Sequence, residues 1–243
     1  RFPWDPTCGK KPKFDPPYSM IQRERGSMSD SEVIDGGLPN QYHRMPDAGF
    51  DSDRLASPLA RGNRRPVSGA SPLVVEEHIL GHLILRGPPD VLKAAVLECI
   101  GLPLPSAPLT SSSNDQSCIR WLGPDEWLVT LALTGLAQAE RDLRGACGAQ
   151  IALVDVSGGQ TILVICGDCA TQVLMKSTSY DVAPENFPPG KVVTTTFAQA
   201  QVVLRRVNDN TFELVLRRSF SDYLWAWLRD AASEFGFAVQ GEA

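Results

Sequence analysis

Several common functional signatures are missing from this chain of 243 residues. It has no Walker A loop and no Gly-x-Gly-x-x-Gly turn, so the standard phosphate-binding loops of nucleotide sites are excluded. It has no Gly-x-Ser-x-Gly elbow, and only three histidines are available for acid–base catalysis. No apolar run approaches the length needed to cross a bilayer, and the N-terminus has no signal-peptide core. We therefore expect a cytoplasmic protein without a membrane span.

Positive charge is scarce in the larger part of the chain. Residues 1–70 carry eleven Lys and Arg against nine Asp and Glu, whereas residues 71–243 carry twelve against nineteen. An acidic body repels nucleic acid and anionic lipid, so neither is expected as the main partner. The six cysteines are too dispersed for a disulfide framework, and most of them are expected to be small buried side chains.

Composition separates residues 1–70 from the rest. They hold nine of the nineteen prolines and few aliphatic residues. A segment that has no core of its own is either disordered or ordered by lying on another surface. We expect an extended, Pro-rich N-terminal arm that contacts neighbouring proteins through Trp4, Phe14 and Tyr18. Met28 and the residues after it resemble a translation start, which leaves open whether residues 1–27 are native.

Residues 71–243 are expected to form one folded domain, in which a single pattern occurs twice. Each copy reads as a strand, a Gly turn, a helix, a loop, a hairpin and a second helix. The matching ranges are 82–87, 88–100, 119–131 and 135–148 in the first copy, and 161–167, 168–176, 204–216 and 220–236 in the second. Two copies favour a duplicated α+β domain over a solenoid. We expect split βαβ-like units whose strands form antiparallel-rich sheets covered by helices.

Residue patterns also give local expectations. Residues 74–86 are strand-like with a break at Gly81, and the Pro- and Ser-rich stretch 103–117 predicts a loop. Ser219 is expected to cap the last helix. Trp225 lies beside the predicted inward face of that helix, so it is either a partner contact or a side chain at the core edge. The predicted inward face consists of Tyr223, Leu224, Trp227, Leu228, Ala231 and Phe235.

Two groups of residues could carry chemistry. Cys166 and Cys169 form a Cys-x-x-Cys pair at a predicted helix start, where a thiol pKa is lowered. A second pair is missing and the histidines are distant, so we favour a structural turn over a zinc or redox site. A thiol-based redox protein remains the weaker alternative. His82 is expected at the surface or at the core edge.

Residues 155–170 resemble the folate-binding aminomethyltransferase family. The resemblance covers an Asp-Val-Ser strand end at Asp155, a strand, and a Gly-x-Asp turn that opens a helix at Asp168. It continues through residues 180–182 and 189–191. Members that transfer methyl groups carry an acidic pair in the next hairpin, whereas this chain has no Asp or Glu from Phe187 to Asn208. The resemblance thus implies the fold of the folate-binding domain without its pterin-binding carboxylate.

A denser resemblance, over about residues 55–237, is to the family of gamma subunits of heterotetrameric sarcosine oxidases. It rests on five matches, at residues 57–60, 121–128, 155–157, 187–190 and 218–228. It implies an accessory, non-catalytic chain in a flavoenzyme that oxidatively demethylates an N-methyl amino acid and yields 5,10-methylenetetrahydrofolate. NAD and tetrahydrofolate would lie on the alpha subunit, FAD on beta, FMN between alpha and beta, and zinc on delta. No cofactor is expected on this chain.

Two alternatives accompany that interpretation. The gamma subunit of N-methylglutamate dehydrogenase has the same pattern, so the substrate stays open. A free-standing, folate-dependent aminomethyltransferase-like protein is the other, and it predicts that the isolated chain binds tetrahydrofolate. Because substrate-contacting residues would lie on other chains, the expected sites of this chain are partner contacts at Trp4, Phe14, Tyr18 and Trp225.

Overall fold

The computed structural model describes residues 74–78, 80–235 and 238–239. The predicted N-terminal arm, with Trp4, Phe14 and Tyr18, lies outside these residues. Across the described part of the chain, no helix is both long and apolar enough to span a membrane.

The described residues form eleven strands and four α-helices, listed here in chain order. The first half contains β1 (Val74–His78), β2 (Gly81–Arg86), α1 (Pro89–Ile100), β3 (Ser111–Ser113), β4 (Ser117–Gly123), β5 (Glu126–Leu131), α2 (Leu133–Cys147) and β6 (Ala152–Asp155). The second half contains β7 (Gln160–Cys166), α3 (Ala170–Ser177), β8 (Val192–Phe197), β9 (Ala200–Asn208), β10 (Thr211–Arg217), α4 (Ser221–Ala231) and β11 (Ala238–Val239).

The strands form two sheets that repeat one order, which confirms the predicted duplication. The first sheet runs β3-β4-β5-β2-β6, and the second runs β8-β9-β10-β7-β1 with β11 added beside β1. Every neighbouring pair is antiparallel except β1 and β11, which are parallel. The fold is therefore α+β with antiparallel sheets, as predicted.

The two copies exchange their leading strands. Strand β1 precedes β2 in the chain but pairs with β7 of the second sheet. Strand β6 precedes β7 but pairs with β2 of the first sheet. The predicted strand 74–86 is thus two strands in different sheets, separated at residues 79–80. Gly81 lies where β2 begins and packs closely on α2: a Cβ added there would come within 2.7 Å of Leu136 Cδ1, so a larger residue would have to displace the Leu136 side chain.

Burial on both faces of each sheet produces four layers in the order helix, sheet, sheet, helix. One apolar cluster lies between the first sheet and helices α1 and α2, and a second lies between the second sheet and helices α3 and α4. The inner faces of the sheets contact each other through a third, smaller cluster. That cluster is built on Leu128, Ile162, Val164 and Val215. This apolar cluster is small, and buried polar residues lie in the same layer between the sheets, among them His82, Arg120 and Arg205.

Three local predictions were wrong. Residues 103–117 contain strand β3, which continues the first sheet beyond β4. Ser219 does not cap α4, because a 3₁₀ turn over Arg218–Phe220 precedes the helix and shifts its start to Ser221. Of the predicted inward face of α4, Leu224 and Leu228 are buried and Trp227, Ala231 and Phe235 pack against the core, as predicted. Tyr223 was placed wrongly, since it is 38% exposed.

Trp225 belongs to the apolar core of the second copy. Its side chain is only 5% exposed and lies in the same cluster as Leu224 and Leu228. Of the two alternatives that the sequence left open for Trp225, the structure favours the position in the core over an exposed indole that contacts a partner. Other predictions for the helices are confirmed, including Gly101 with φ of 75° at the end of α1.

Candidate functional site

A charged cluster occupies the layer between the two sheets. Arg120 on β4 of the first sheet donates from Nη2 to Glu213 Oε2 on β10 of the second sheet, at 2.5 Å. Arg205 on β9 donates from Nη1 to the same oxygen at 3.0 Å. Arg120 also donates from Nη1 to Thr130 Oγ1 at 2.8 Å. One carboxylate oxygen therefore links both sheets through two guanidinium groups.

Serines of β3 hold the second guanidinium. Arg205 donates from Nε to Ser111 Oγ at 3.0 Å and from Nη2 to Ser113 Oγ at 2.5 Å. Ser111 donates in turn to the Gly190 carbonyl at 2.8 Å. Strand β3, which the sequence did not predict, thus positions Arg205 and joins the edges of the two sheets.

The charged cluster is buried, so its charges are shielded from water and depend on one another for stabilisation. Arg120 is 1% exposed and Arg205 is 6% exposed, against a single carboxylate between them. Burial alone would raise the pKa of Glu213, but the charges of Arg120 and Arg205 and their hydrogen bonds outweigh it and lower that pKa. Glu213 is therefore ionised and is the counter-ion of the two guanidinium groups.

His82 lies in the same layer and is fully buried, which corrects the prediction of a surface or core-edge position. Its Nδ1 is 3.0 Å from the Leu80 carbonyl, and Nε2 has no hydrogen-bond partner among the described residues. Burial and the positive charge of Arg120 lower the pKa of His82 to about 4, although the Leu80 carbonyl and Asp155 act in the opposite direction. The imidazole is therefore neutral near neutral pH.

The buried neutral state of His82 predicts acid sensitivity. Between the unfolded pKa of 6.5 and the folded value of about 4, the unfolded chain binds the proton more readily. The free energy of unfolding should therefore fall by about 3 kcal/mol as the pH drops through this window. Denaturant unfolding of the wild type and His82→Leu at a series of pH values measures the effect. The variant should lose this slope, and an unchanged slope would refute the assignment.

The Asp-Val-Ser sequence that resembles aminomethyltransferases lies where the chain crosses between the sheets. Ser157 donates from Oγ to Asp155 Oδ1 at 2.5 Å and accepts the His82 backbone N–H at 2.9 Å. The Val156 N–H donates to the His82 carbonyl at 2.9 Å. These bonds fix the crossover from β6 to β7, so in this chain the motif has a structural role.

The hairpin that lacks carboxylates consists of β8 and β9. Its charged residues are Arg205 and Arg206, and Lys191 immediately precedes β8. Arg206 is 2% exposed and donates to the carbonyls of Phe187, Asn208 and Asp209. At the place where the resemblance would require a pterin-binding carboxylate, this hairpin therefore has arginines whose guanidinium groups are bound to the protein itself.

Neither Cys166 nor Cys169 is in a disulfide, and both are half-buried. Cys166 ends β7 and Cys169 immediately precedes α3, so the pair spans a strand-to-helix turn as predicted. Among the described residues, no group of three or more His, Cys, Asp and Glu side chains is arranged to hold a metal ion. The structure does not bring the cysteines together with the charged cluster.

Sequence reasoning missed the charged cluster entirely. A usable signal was present, because Arg120, Arg205 and Glu213 each lie in a strand with apolar neighbours. In a strand buried on both faces, such a charge must point into the protein and find a partner. The sequence could indicate buried charges, but it could not indicate that they meet across two sheets.

Comparisons with known proteins agree with this architecture. Residues 88–234 match the sarcosine oxidase, gamma subunit family. The sarcosine oxidase subunit gamma of Corynebacterium sp. strain P-1 is 35% identical over 144 residues, covering 58% of this chain and 70% of that protein. The subunit from an Arthrobacter species is 29% identical over 143 residues, with the same two coverages.

Solved structures give the same result. A chain of the heterotetrameric sarcosine oxidase from Corynebacterium sp. U-96, in complex with pyrrole 2-carboxylate, matches with a TM-score of 0.68 and 28% identity. The match covers 78% of this chain and 98% of that chain. Aminomethyltransferase T from Bartonella henselae matches with a TM-score of 0.53 at 14% identity, over 69% of this chain and 48% of that one, which shows the shared fold alone. This chain therefore belongs to the sarcosine oxidase gamma subunit family.

Proposed function

We propose that this chain is an accessory gamma subunit, without catalytic residues of its own, in a heterotetrameric flavoenzyme. The complex would oxidatively demethylate sarcosine or a similar N-methyl amino acid and yield 5,10-methylenetetrahydrofolate. The main support is the charged cluster, because the guanidinium groups of Arg120 and Arg205 both bind the Glu213 carboxylate and make it a structural counter-ion. Family membership supports the assembly, since the matching solved structure is described as heterotetrameric.

The proposal assigns the reactive groups to other chains. FAD, FMN, NAD, tetrahydrofolate and zinc would be held by the alpha, beta and delta subunits. Three features of this chain favour that assignment. The β8–β9 hairpin has no carboxylate, Glu213 is ion-paired, and the Asp155-Val-Ser157 sequence is engaged in the crossover between the sheets.

Expression of the chain with and without its partners tests this proposal. The chain alone should show no flavin absorbance and no heat of binding on titration with tetrahydrofolate. Co-expressed with the other three subunits, the tagged chain should recover them in equal stoichiometry, together with flavin. Micromolar tetrahydrofolate binding by the isolated chain would instead support the free-standing folate protein.

A double variant separates a structural role of the two cysteines from a catalytic one. Replacing Cys166 and Cys169 together with serine should leave the turnover of the assembled enzyme within about twofold of wild type, because the thiols lie apart from the charged cluster and both are only half-buried. Steady-state assays of amine oxidation measure the outcome. Loss of turnover with intact assembly would revive the thiol-based alternative.

A further inference from the structure

A surface groove of about 460 Å³ lies beside helix α3 in the second copy. Met175 and Pro184 give it apolar walls, and Asp168 and Asp209 lie at its rim. Helix α3 contributes from its outer side, since Val173 and Leu174 on its inner side are buried in the core. The groove is thus separate from the charged cluster between the sheets.

Met175 is an apolar side chain that the fold itself does not use. It is 53% exposed on a helix whose neighbouring positions are core residues. Methionine adapts its shape to a bound surface, and it is enriched at protein interfaces. An exposed methionine in a concave site is therefore suited to receive the stem of another side chain.

Two of the residues that line the groove, Asp168 and Asp209, carry negative charge. Within the described part of the chain, neither Asp168 nor Asp209 takes part in an ion pair. Asn210 holds Asp168 by donating from Nδ2 to Oδ1 at 3.1 Å. Arg206 also lines the groove, but its guanidinium donates to three backbone carbonyls and lies over the Phe212 ring at 5.2 Å. Its donors are directed at the protein.

A second groove, between α1 and α2, lacks this combination. Its lining has the same charges as the first groove, two acids (Glu98 and Asp142) and one arginine (Arg141), but its other residues are Cys99, Gly145 and Ala146, which are all small. The exposed Leu97 of α1 does not line it. Of these two grooves, the Met175 groove is therefore the one that combines carboxylates with large apolar side chains.

We propose that the Met175 groove is a docking site for a basic segment of a partner subunit. The aliphatic stem of an arginine or lysine would pack on Met175 and Pro184, and its charged end would lie between Asp168 and Asp209. Such side chains combine an apolar stem with a charged head, which matches an apolar groove with an acidic rim. The inference rests on the proposed function, because it requires that this chain assembles with other subunits.

Two substitutions test the groove in the co-expressed complex. Met175→Glu places a charge on the apolar wall, and we expect the recovery of partner subunits to fall at least tenfold, as for a hot-spot contact. Asp168→Asn with Asp209→Asn keeps the shape and removes the charge. This double variant should bind about tenfold more weakly and should lose most of the salt dependence of wild-type assembly.

The matched control is Leu97→Glu on helix α1. Leu97 is 55% exposed, compared with 53% for Met175, so both changes put a carboxylate on an exposed apolar helix position. The control should assemble within about twofold of wild type, and thermal unfolding should show all variants folded. Wild-type assembly by both groove variants, or equal loss in the control, would overturn the inference. If the wild type recovers no partner subunit, the proposed function fails and this inference fails with it.

Discussion

Replacing Glu213 with alanine should lower the free energy of unfolding by roughly 3–5 kcal/mol, because it leaves two buried guanidinium groups without their shared carboxylate. Arg120 and Arg205 are 1% and 6% exposed, so water can replace little of the lost interaction. Denaturant unfolding followed by circular dichroism gives the change. The denaturant midpoint should fall while the slope of the transition stays constant, since the surface exposed on unfolding is unchanged.

The control for this prediction is an ion pair on the surface. Arg144 and Glu140 form one on α2, with side chains that are 46% and 31% exposed. Glu140→Ala should cost about 0.5 kcal/mol or less, because solvent screens this pair. If Glu213→Ala costs no more than the control, the charged cluster does not contribute to stability as we infer.

Acid titration gives an independent check on Glu213. Its lowered pKa means that its stabilising contribution is complete above the unfolded value of 4.5 and is lost as the pH falls through the folded value. Glu213→Ala should therefore remove acid sensitivity below about pH 4.5, whereas His82→Leu removes it above that pH. The two variants act in different pH ranges, so their effects can be measured separately.

Repetition in the sequence was enough to predict the duplicated α+β fold. It was not enough to predict the strand exchange, because β1 and β2 are joined by residues 79–80 alone and read as one interrupted strand. Which sheet a strand joins depends on contacts distant in sequence, such as the packing of Gly81 against Leu136. The charged cluster was missed for the same reason, since Arg120 and Glu213 are 93 residues apart.

Helix α4 shows a different limit of prediction. Its amphipathic character was clear and five of the six residues of its predicted inward face lie in or against the core, but Tyr223 is exposed. The 3₁₀ turn over Arg218–Phe220 sets the rotation of the helix, and no residue pattern signalled that turn. The pattern therefore did not indicate that Tyr223 is 38% exposed, and it could not decide that Trp225 is buried.

The reciprocal exchange of β1 and β6 predicts that the two copies do not fold apart. In a fragment comprising residues 157–243, strand β7 loses its partner β1, which pairs with it at five positions from Val74 to His78. The same fragment exposes Ile162, Val164 and Val215, which are buried against the first sheet in the intact chain. Each such side chain contributes about 1.5–3 kcal/mol when it is buried.

We therefore expect the fragment 157–243 to aggregate or to stay unfolded alone, and to regain native structure when it is refolded with the fragment 1–156. Near-ultraviolet circular dichroism and size-exclusion chromatography measure the recovery. Val164→Asp in the smaller fragment should abolish it, because the carboxylate would be buried between the sheets. Thr194→Asp is the matched control on an exposed position of β8 and should leave reassociation intact. Two fragments that fold separately and remain monomeric when mixed would show that the strand exchange does not couple the copies.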